Sequence, residues 1–109
     1  MRRGDVVTVA AAGDYGQPRP AVIVQTDGLP ATHESVVVCQ MTSRLTDVQT
    51  FRVMIEPSQG NGLQLQSQIM VDKPVAVRRH RIGRTIGRLA AADIGRLNVA
   101  LAFVLGLGD

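Results

Sequence analysis

From Asp5 to Val77 the chain alternates short runs rich in Val, Ile and Thr with breaks built from Gly, Pro, Asn and Asp, and only beyond Ala90 do its apolar residues take up helical spacing. No other feature constrains the fold as much. β-Branched residues suit a pleated surface, and the interrupting residues supply turns. Strands are expected at Asp5 to Ala11, Pro20 to Gln25, Ser35 to Gln40, Phe51 to Ile55 and Gln66 to Val71, with extended character resuming through Val75–Val77 and a last short strand at Thr85 to Leu89. The second and third runs are almost wholly apolar, which predicts burial on both faces. Met41 to Thr50 is mostly polar and is expected to be exposed. Near the end, Ile94, Leu97, Leu101, Val104 and Leu105 recur at the spacing of one helical face, and Gly106 and Gly108 stand where a helix stop is expected. Ala90 to Ala92 offers no good N-cap, although Asp93 places negative charge in the first turn. Val99, Ala102 and Phe103 add apolar surface away from that face, so the helix needs a second burial site, for which a partner subunit is the candidate. The fold class expected is mainly β with a C-terminal α-helix: a small β-barrel or strongly bent antiparallel sheet capped by the helix.

With 109 residues the chain is expected to form one domain, residues 1–109. No apolar run is long enough to span a membrane, and the opening Met1-Arg2-Arg3-Gly4-Asp5 lacks the apolar stretch of a signal peptide, so a cytoplasmic location is expected. Cys39 is the only cysteine; it lies in an apolar strand pattern and is read as packing, with a reactive or regulatory thiol as the alternative. The net charge is +3, and of the twelve basic residues only Lys73 is not Arg. Arg carries a planar fork of donors matched to phosphate oxygens. Aromatic residues are limited to Tyr15, Phe51 and Phe103, which argues against binding by stacking many bases.

The familiar catalytic sets are missing. One Cys and two distant His, at 33 and 80, make no zinc pattern, and neither a phosphate-binding Gly-rich loop nor a nucleophile elbow occurs. The carboxylates of Asp5, Asp14, Asp27, Asp47, Asp72 and Asp93 are scattered. Ile-Gly-Arg occurs at 82–84, 86–88 and 94–96, but its uneven spacing defines no repeating unit. Two segments stand out. Gly13-Asp14-Tyr15-Gly16-Gln17-Pro18-Arg19-Pro20 pins an arginine between prolines at the start of one apolar run. Cys39-Gln40-Met41-Thr42-Ser43 places a Thr-Ser pair at the end of another. If the two runs are neighbouring strands, Arg19 and Thr42 face one pocket, and a guanidinium beside a hydroxyl suits a phosphodiester. RNA carries its own nucleophile, the 2′-hydroxyl, so a protein need only align it, move protons and neutralise developing charge. A surface salt bridge for Arg19 and a strand-end cap for Thr42 remain alternatives. The run Arg78, Arg79, Arg81, Arg84 and Arg88 reads equally as a solvated face, an RNA-steering surface or a dock for an acidic partner.

Arg3-Gly4-Asp5, Arg19-Pro20-Ala21-Val22, Val38-Cys39 leading to Thr42-Ser43, Asn61-Gly62-Leu63, Ser67 to Lys73, Ile86-Gly87-Arg88-Leu89 and Leu105-Gly106-Leu107 occur in an order and spacing that resembles the MazF/PemK family of toxin endoribonucleases from type II toxin–antitoxin systems. The resemblance covers nearly the whole chain. It implies an SH3-like, PemK-like barrel and a homodimeric endoribonuclease that cuts single-stranded RNA such as mRNA at a short motif, without metal or other cofactor. It implies 2′,3′-cyclic phosphate and 5′-hydroxyl ends, and neutralisation by a cognate antitoxin with a disordered acidic segment. Carried over by position, Arg19 and Thr42 are the catalytic residues. Asp14, where some members have a glutamate, and Asp72 are the acid/base candidates. Tyr15, Gly16, Gln17, Pro18 and Ser43 are the RNA-contact candidates. Met70 stands where members with a catalytic acid at the Asp72 position carry arginine, and Gln40 stands where many have proline, so the group that takes the 2′-proton is left open. Two rivals are a gyrase-inhibiting toxin of the same fold, whose target-binding Trp-Gly-Ile end has no counterpart in a chain without Trp, and a non-catalytic RNA-binding barrel.

Overall fold

The computed structural model describes residues 1–10, 18–48 and 50–108. Six strands form one antiparallel sheet: β1 (Asp5–Val9), β2 (Arg19–Ile23), β3 (Ser35–Thr42), β4 (Arg52–Ile55), β5 (Ser67–Arg78) and β6 (Ile82–Arg88). Their order across the sheet is β4-β5-β3-β2-β1-β6, and one helix, α1 (Ala91–Val104), follows. The mainly-β class with a terminal helix is as the residue pattern predicts.

Alternation along the strands divides the interior in two. Val6, Val22, Cys39, Met41, Ile55, Ile69 and Val71 form one cluster together with Leu97, Ala100 and Leu101 of α1. Val7, Val9, Ala21, Ile23, Val36 and Val38 form another, closed by Val77 and Ile82. β2 therefore contributes to both clusters, as its unbroken apolar run requires. A sheet can bury both faces without a second layer only by curling. Two features produce the curl. Between Cys39↔Pro74 and Met41↔Ile69 the register of β3 on β5 shifts, so a short stretch of β5 bulges and the strand turns a corner. Pro74, which has no N–H to donate, sits beside that irregularity. At the far edge, Arg88 N–H donates to the Gly60 carbonyl at 2.9 Å, so the connection leaving β4 meets β6 at the opposite edge of the sheet.

Several boundaries differ from those expected. β1 ends at Val9, and β2 runs from Arg19 to Ile23. β3 continues to Thr42, and Met41, expected in an exposed segment, is 3% exposed. Its side chain continues the alternation of the strand, a periodicity hidden when a polar segment follows at once. β5 is one bent strand of 12 residues rather than two pieces. The basic cluster forms a single 3₁₀ turn at Arg79–Arg81, and β6 begins directly after it. The helix lacks a side-chain N-cap, as its sequence suggests, and Asp93 lies 3.0 Å from Arg96. It ends in paired bonds from Gly106 N–H to Phe103 and from Leu107 N–H to Ala102. Leu105 lies beyond the last turn and is exposed rather than on the buried face. No described helix is long and apolar enough to cross a membrane.

Candidate functional site

The antiparallel pairing of β2 with β3 brings the entry of one strand beside the exit of the other: Ala21 faces Gln40, one residue from Pro20 and one from Met41. Arg19 and Thr42 consequently line one cleft of about 540 Å³. Pro18 and Ser43 line it too. The remaining RNA-contact candidates, Tyr15, Gly16 and Gln17, and the acid/base candidate Asp14 lie outside the described residues.

Thr42 Oγ1 accepts the Arg44 N–H at 3.1 Å, a local turn that fixes the hydroxyl. Because the oxygen is the acceptor there, its own hydrogen is left to donate. Capping and substrate contact are therefore compatible for this residue. Asp72 is placed differently. It lies on β5 outside the lining of the cleft, and its carboxylate is 3.7 Å from Arg52 Nε across the β4–β5 pair. The structure thus brings Arg19 and Thr42 together and leaves Asp72 apart from them.

Part of the cleft wall is the segment after β4, and it is held rigidly. Asn61 is buried; its side-chain amide donates to the Glu56 carbonyl at 2.8 Å, and its Oδ1 accepts from the N–H groups of Ser58 and Leu63, both at 3.0 Å. Gly62 follows at φ +71°, where a Cβ would run into the Ile86 carbonyl. This clamp presents Leu63, Gln64 and Leu65 to the cleft beside Ile86. The segment 44–48 is anchored separately: Gln68 Nε2 donates to the Thr46 carbonyl at 2.7 Å and its Oε1 accepts Thr46 N–H at 3.0 Å. From β1 and β6 come Thr8, which the sequence did not single out, and Arg84, which stood in the basic run read equally as a solvated face, an RNA-steering surface or a dock. Their place in the cleft was hidden because it depends on the β1–β6 pairing of segments more than seventy residues apart.

A larger cavity, about 890 Å³, lies between α1 and β4 and is lined by Met54, Arg96, Val99 and Phe103 among others. It contains none of the residues singled out from the sequence for chemistry. Cys39 is fully buried, and its thiol is pushed up to about 11 by burial, with the nearby Asp72 charge adding and Arg3 opposing. Packing suits it, as its strand context suggests. Among the described residues no three His, Cys, Asp or Glu side chains are grouped as metal ligands.

A family model described as the PemK-like, MazF-like toxin of type II toxin–antitoxin systems matches residues 2–105. The chain belongs to this toxin family. A probable endoribonuclease MazF of Mycolicibacterium smegmatis is 44% identical over 108 residues, 98% of each chain. Endoribonuclease MazF9 of Mycobacterium tuberculosis is 30% identical over 116 residues, again 98% of each. Among solved structures, a mycobacterial endoribonuclease in complex with its cognate antitoxin superposes with a TM-score of 0.82 at 23% identity, covering 98% of this chain and 96% of that one. At that identity the likeness speaks for the fold. The PemK/MazF membership agrees with the residues that carried the resemblance, from Arg3-Gly4-Asp5 to Leu105.

Proposed function

We propose that the protein is an endoribonuclease toxin that cleaves single-stranded RNA at a short sequence motif in the cleft between β2 and β3. The observation that carries this reading is the juxtaposition of Arg19 and Thr42 in one cleft of a PemK/MazF-family chain. Relatives at 44% and 30% identity are named endoribonucleases, which supports it.

In the reaction the 2′-oxygen attacks the adjacent phosphorus. The O2′–P bond forms, the P–O5′ bond breaks, and the products are a 2′,3′-cyclic phosphate and a 5′-hydroxyl. The proton of the 2′-hydroxyl leaves to a base, and one is delivered to the departing O5′. Arg19 holds the non-bridging oxygens and offsets charge as the pentacoordinate transition state forms. Thr42 donates its hydroxyl hydrogen to the same phosphoryl group while its oxygen stays fixed by Arg44 N–H. Asp72 pairs with Arg52 outside the lining of the cleft, which counts against its carboxylate as the acid/base group.

The reading includes a homodimer, the cytoplasm as the site of action, and a cognate antitoxin with a disordered acidic segment that covers the cleft. The family's description as half of a toxin–antitoxin system supports the antitoxin.

The test is incubation of purified protein with a long, weakly structured RNA in EDTA, followed by mapping of both ends. Cleavage at a recurrent short motif with cyclic phosphate ends is expected. Activity lost in chelator and restored by Mg²⁺ overturns the mechanism. Binding without cleavage turns the protein into an RNA-binding barrel.

A further inference from the structure

The arginines of the segment 78–88 do not share one fate. Arg78 lies 3.9 Å from Glu34. Arg79 Nε donates to the His33 carbonyl at 2.8 Å, and Arg81 to the Ala10 carbonyl at 3.4 Å. Arg88 donates to Asp5 at 3.1 Å and to the Arg3 carbonyl at 2.8 Å. Arg84 differs: its guanidinium has no hydrogen-bond or ion-pair partner among the described residues, and it is one of the residues that line the cleft holding Arg19 and Thr42.

Its position there is built into the sheet. β1 and β6 pair at Val7↔Thr85 and again at Val9↔Ile82, so Gly83 and Arg84 together stand opposite Thr8. Two residues opposed to one make a β-bulge, a device that re-aims a side chain. Thr8 Oγ1 accepts the Arg84 N–H at 3.2 Å, which pins the bulge. Gly83 leaves room for it, since a Cβ there would push against that same Thr8 hydroxyl. No carboxylate among the described residues lines the cleft, so an anion entering it meets no opposing charge from them.

We propose that Arg84 is a second phosphate anchor of the cleft, gripping an RNA phosphate next to the one held by Arg19. Two guanidinium groups on separate strands then bracket the substrate backbone and set its register across Thr42. The anchor acts on binding and alignment, and it reads no base, since phosphate contacts carry no sequence information. The proposal rests on the ribonuclease reading above.

The experiment measures binding of an RNA oligonucleotide, made non-cleavable by a 2′-deoxy substitution at the scissile nucleotide, across about 50–200 mM salt. Wild type is compared with Arg84→Ala, Arg84→Lys and, as a control outside the cleft, Arg78→Ala. One lost phosphate contact should lower the steepness of the salt dependence by about 0.7 for a single strand, with affinity falling about 5- to 10-fold at low salt. Arg84→Lys should restore the salt slope, and Arg78→Ala should leave both quantities near wild type. In cleavage assays Arg84→Ala should raise KM while kcat at saturating RNA stays within about threefold. An unchanged salt slope in Arg84→Ala overturns the anchor. So does an equal loss in Arg78→Ala, which would mean diffuse attraction, or a loss confined to binding of the antitoxin's acidic segment. A wild-type protein that fails to cleave RNA sinks the ribonuclease reading itself. A wild type that cleaves while Arg84→Ala matches it sinks only the anchor.

Discussion

Arg19 and Thr42 bring different groups to the cleft, a guanidinium and a hydroxyl. The Thr42 hydroxyl is already engaged by Arg44 N–H, so Thr42→Ala removes a turn contact as well as a donor. Arg19→Ala removes a cation from the cleft, and its cleavage rate should fall by roughly 10²–10³, the scale for one preorganised transition-state donor. Thr42→Ser keeps the hydroxyl and should retain most of the activity that Thr42→Ala loses. Near-wild-type turnover in both alanine variants, with folding checked by circular dichroism, would move the chemistry elsewhere. A second residue with a definite expectation is Cys39. A thiol raised from 9.0 to about 11 in the folded chain binds its proton more tightly there than in the unfolded one. The resulting stability is full below pH 9 and is lost as pH climbs through about 11. Cys39→Ala should therefore flatten the decline of stability over that window, measured as denaturation midpoints against pH. Iodoacetamide should label the native thiol far more slowly than the denatured one; equal rates would mean that the thiol is not buried. Sequence made Arg19, Thr42 and Cys39 legible because each is defined by neighbours in the chain. Arg84 was legible only as one of five arginines in a basic run, because its place in the cleft depends on a bulge between β1 and β6.

The three Ile-Gly-Arg tripeptides show what an element adds to identical local sequence. In the first, Gly83 packs on Thr8 and Arg84 lines the cleft. In the second, Gly87 lies against the Asn61 carbonyl, and Arg88 turns to Asp5. In the third, Gly95 has nothing within 4 Å of where its Cβ would lie, and Arg96 pairs with Asp93 within α1. The same three letters thus serve as a bulge, a close backbone approach and an exposed helical turn. Alanine at Gly87 must push into backbone and should cost about 3 kcal/mol or more. Alanine at Gly95 removes backbone freedom from the unfolded chain and should gain about 0.5–1 kcal/mol. Thermal unfolding of the two variants separates these outcomes, with about 4–8 °C expected per kcal/mol. Equal shifts would contradict the packing of the 58–63 clamp on β6. The strand pattern itself was readable, since Val-rich runs alternate with turn residues. Strand ends were less so: Met41 and Thr42 extend β3 because β5 pairs with them, and β5 runs unbroken through Pro74, which pairs with Cys39 at the edge of the register shift.

Among the described residues, three of the four most exposed large apolar side chains lie along α1 or just beyond it, the fourth being Leu65 at 63%. Leu97, Ala100 and Leu101 face the sheet, while Val99 is 73%, Phe103 61% and Leu107 75% exposed. Val99 and Phe103 also border the cavity between α1 and β4, so the exposed residues continue a concave surface rather than standing singly. Isolated surface apolar residues need no explanation, but a continuous set on one helix does. A second copy of the chain docked two-fold along this helix would cover it, because a symmetric contact presents the same patch to itself. Sedimentation at micromolar concentration should give a dimer of the 11.7 kDa chain. Val99→Glu with Phe103→Glu should place unpaired charge in that contact and yield a monomer whose fold is retained, since neither side chain belongs to the buried core. The cleft residues Arg19, Thr42 and Arg84 lie on strands β2, β3 and β6, away from these two positions. A folded monomer should therefore still bind RNA weakly through one cleft. If the double variant remains a dimer, the contact lies on another face, and the exposed helix is left for a different partner.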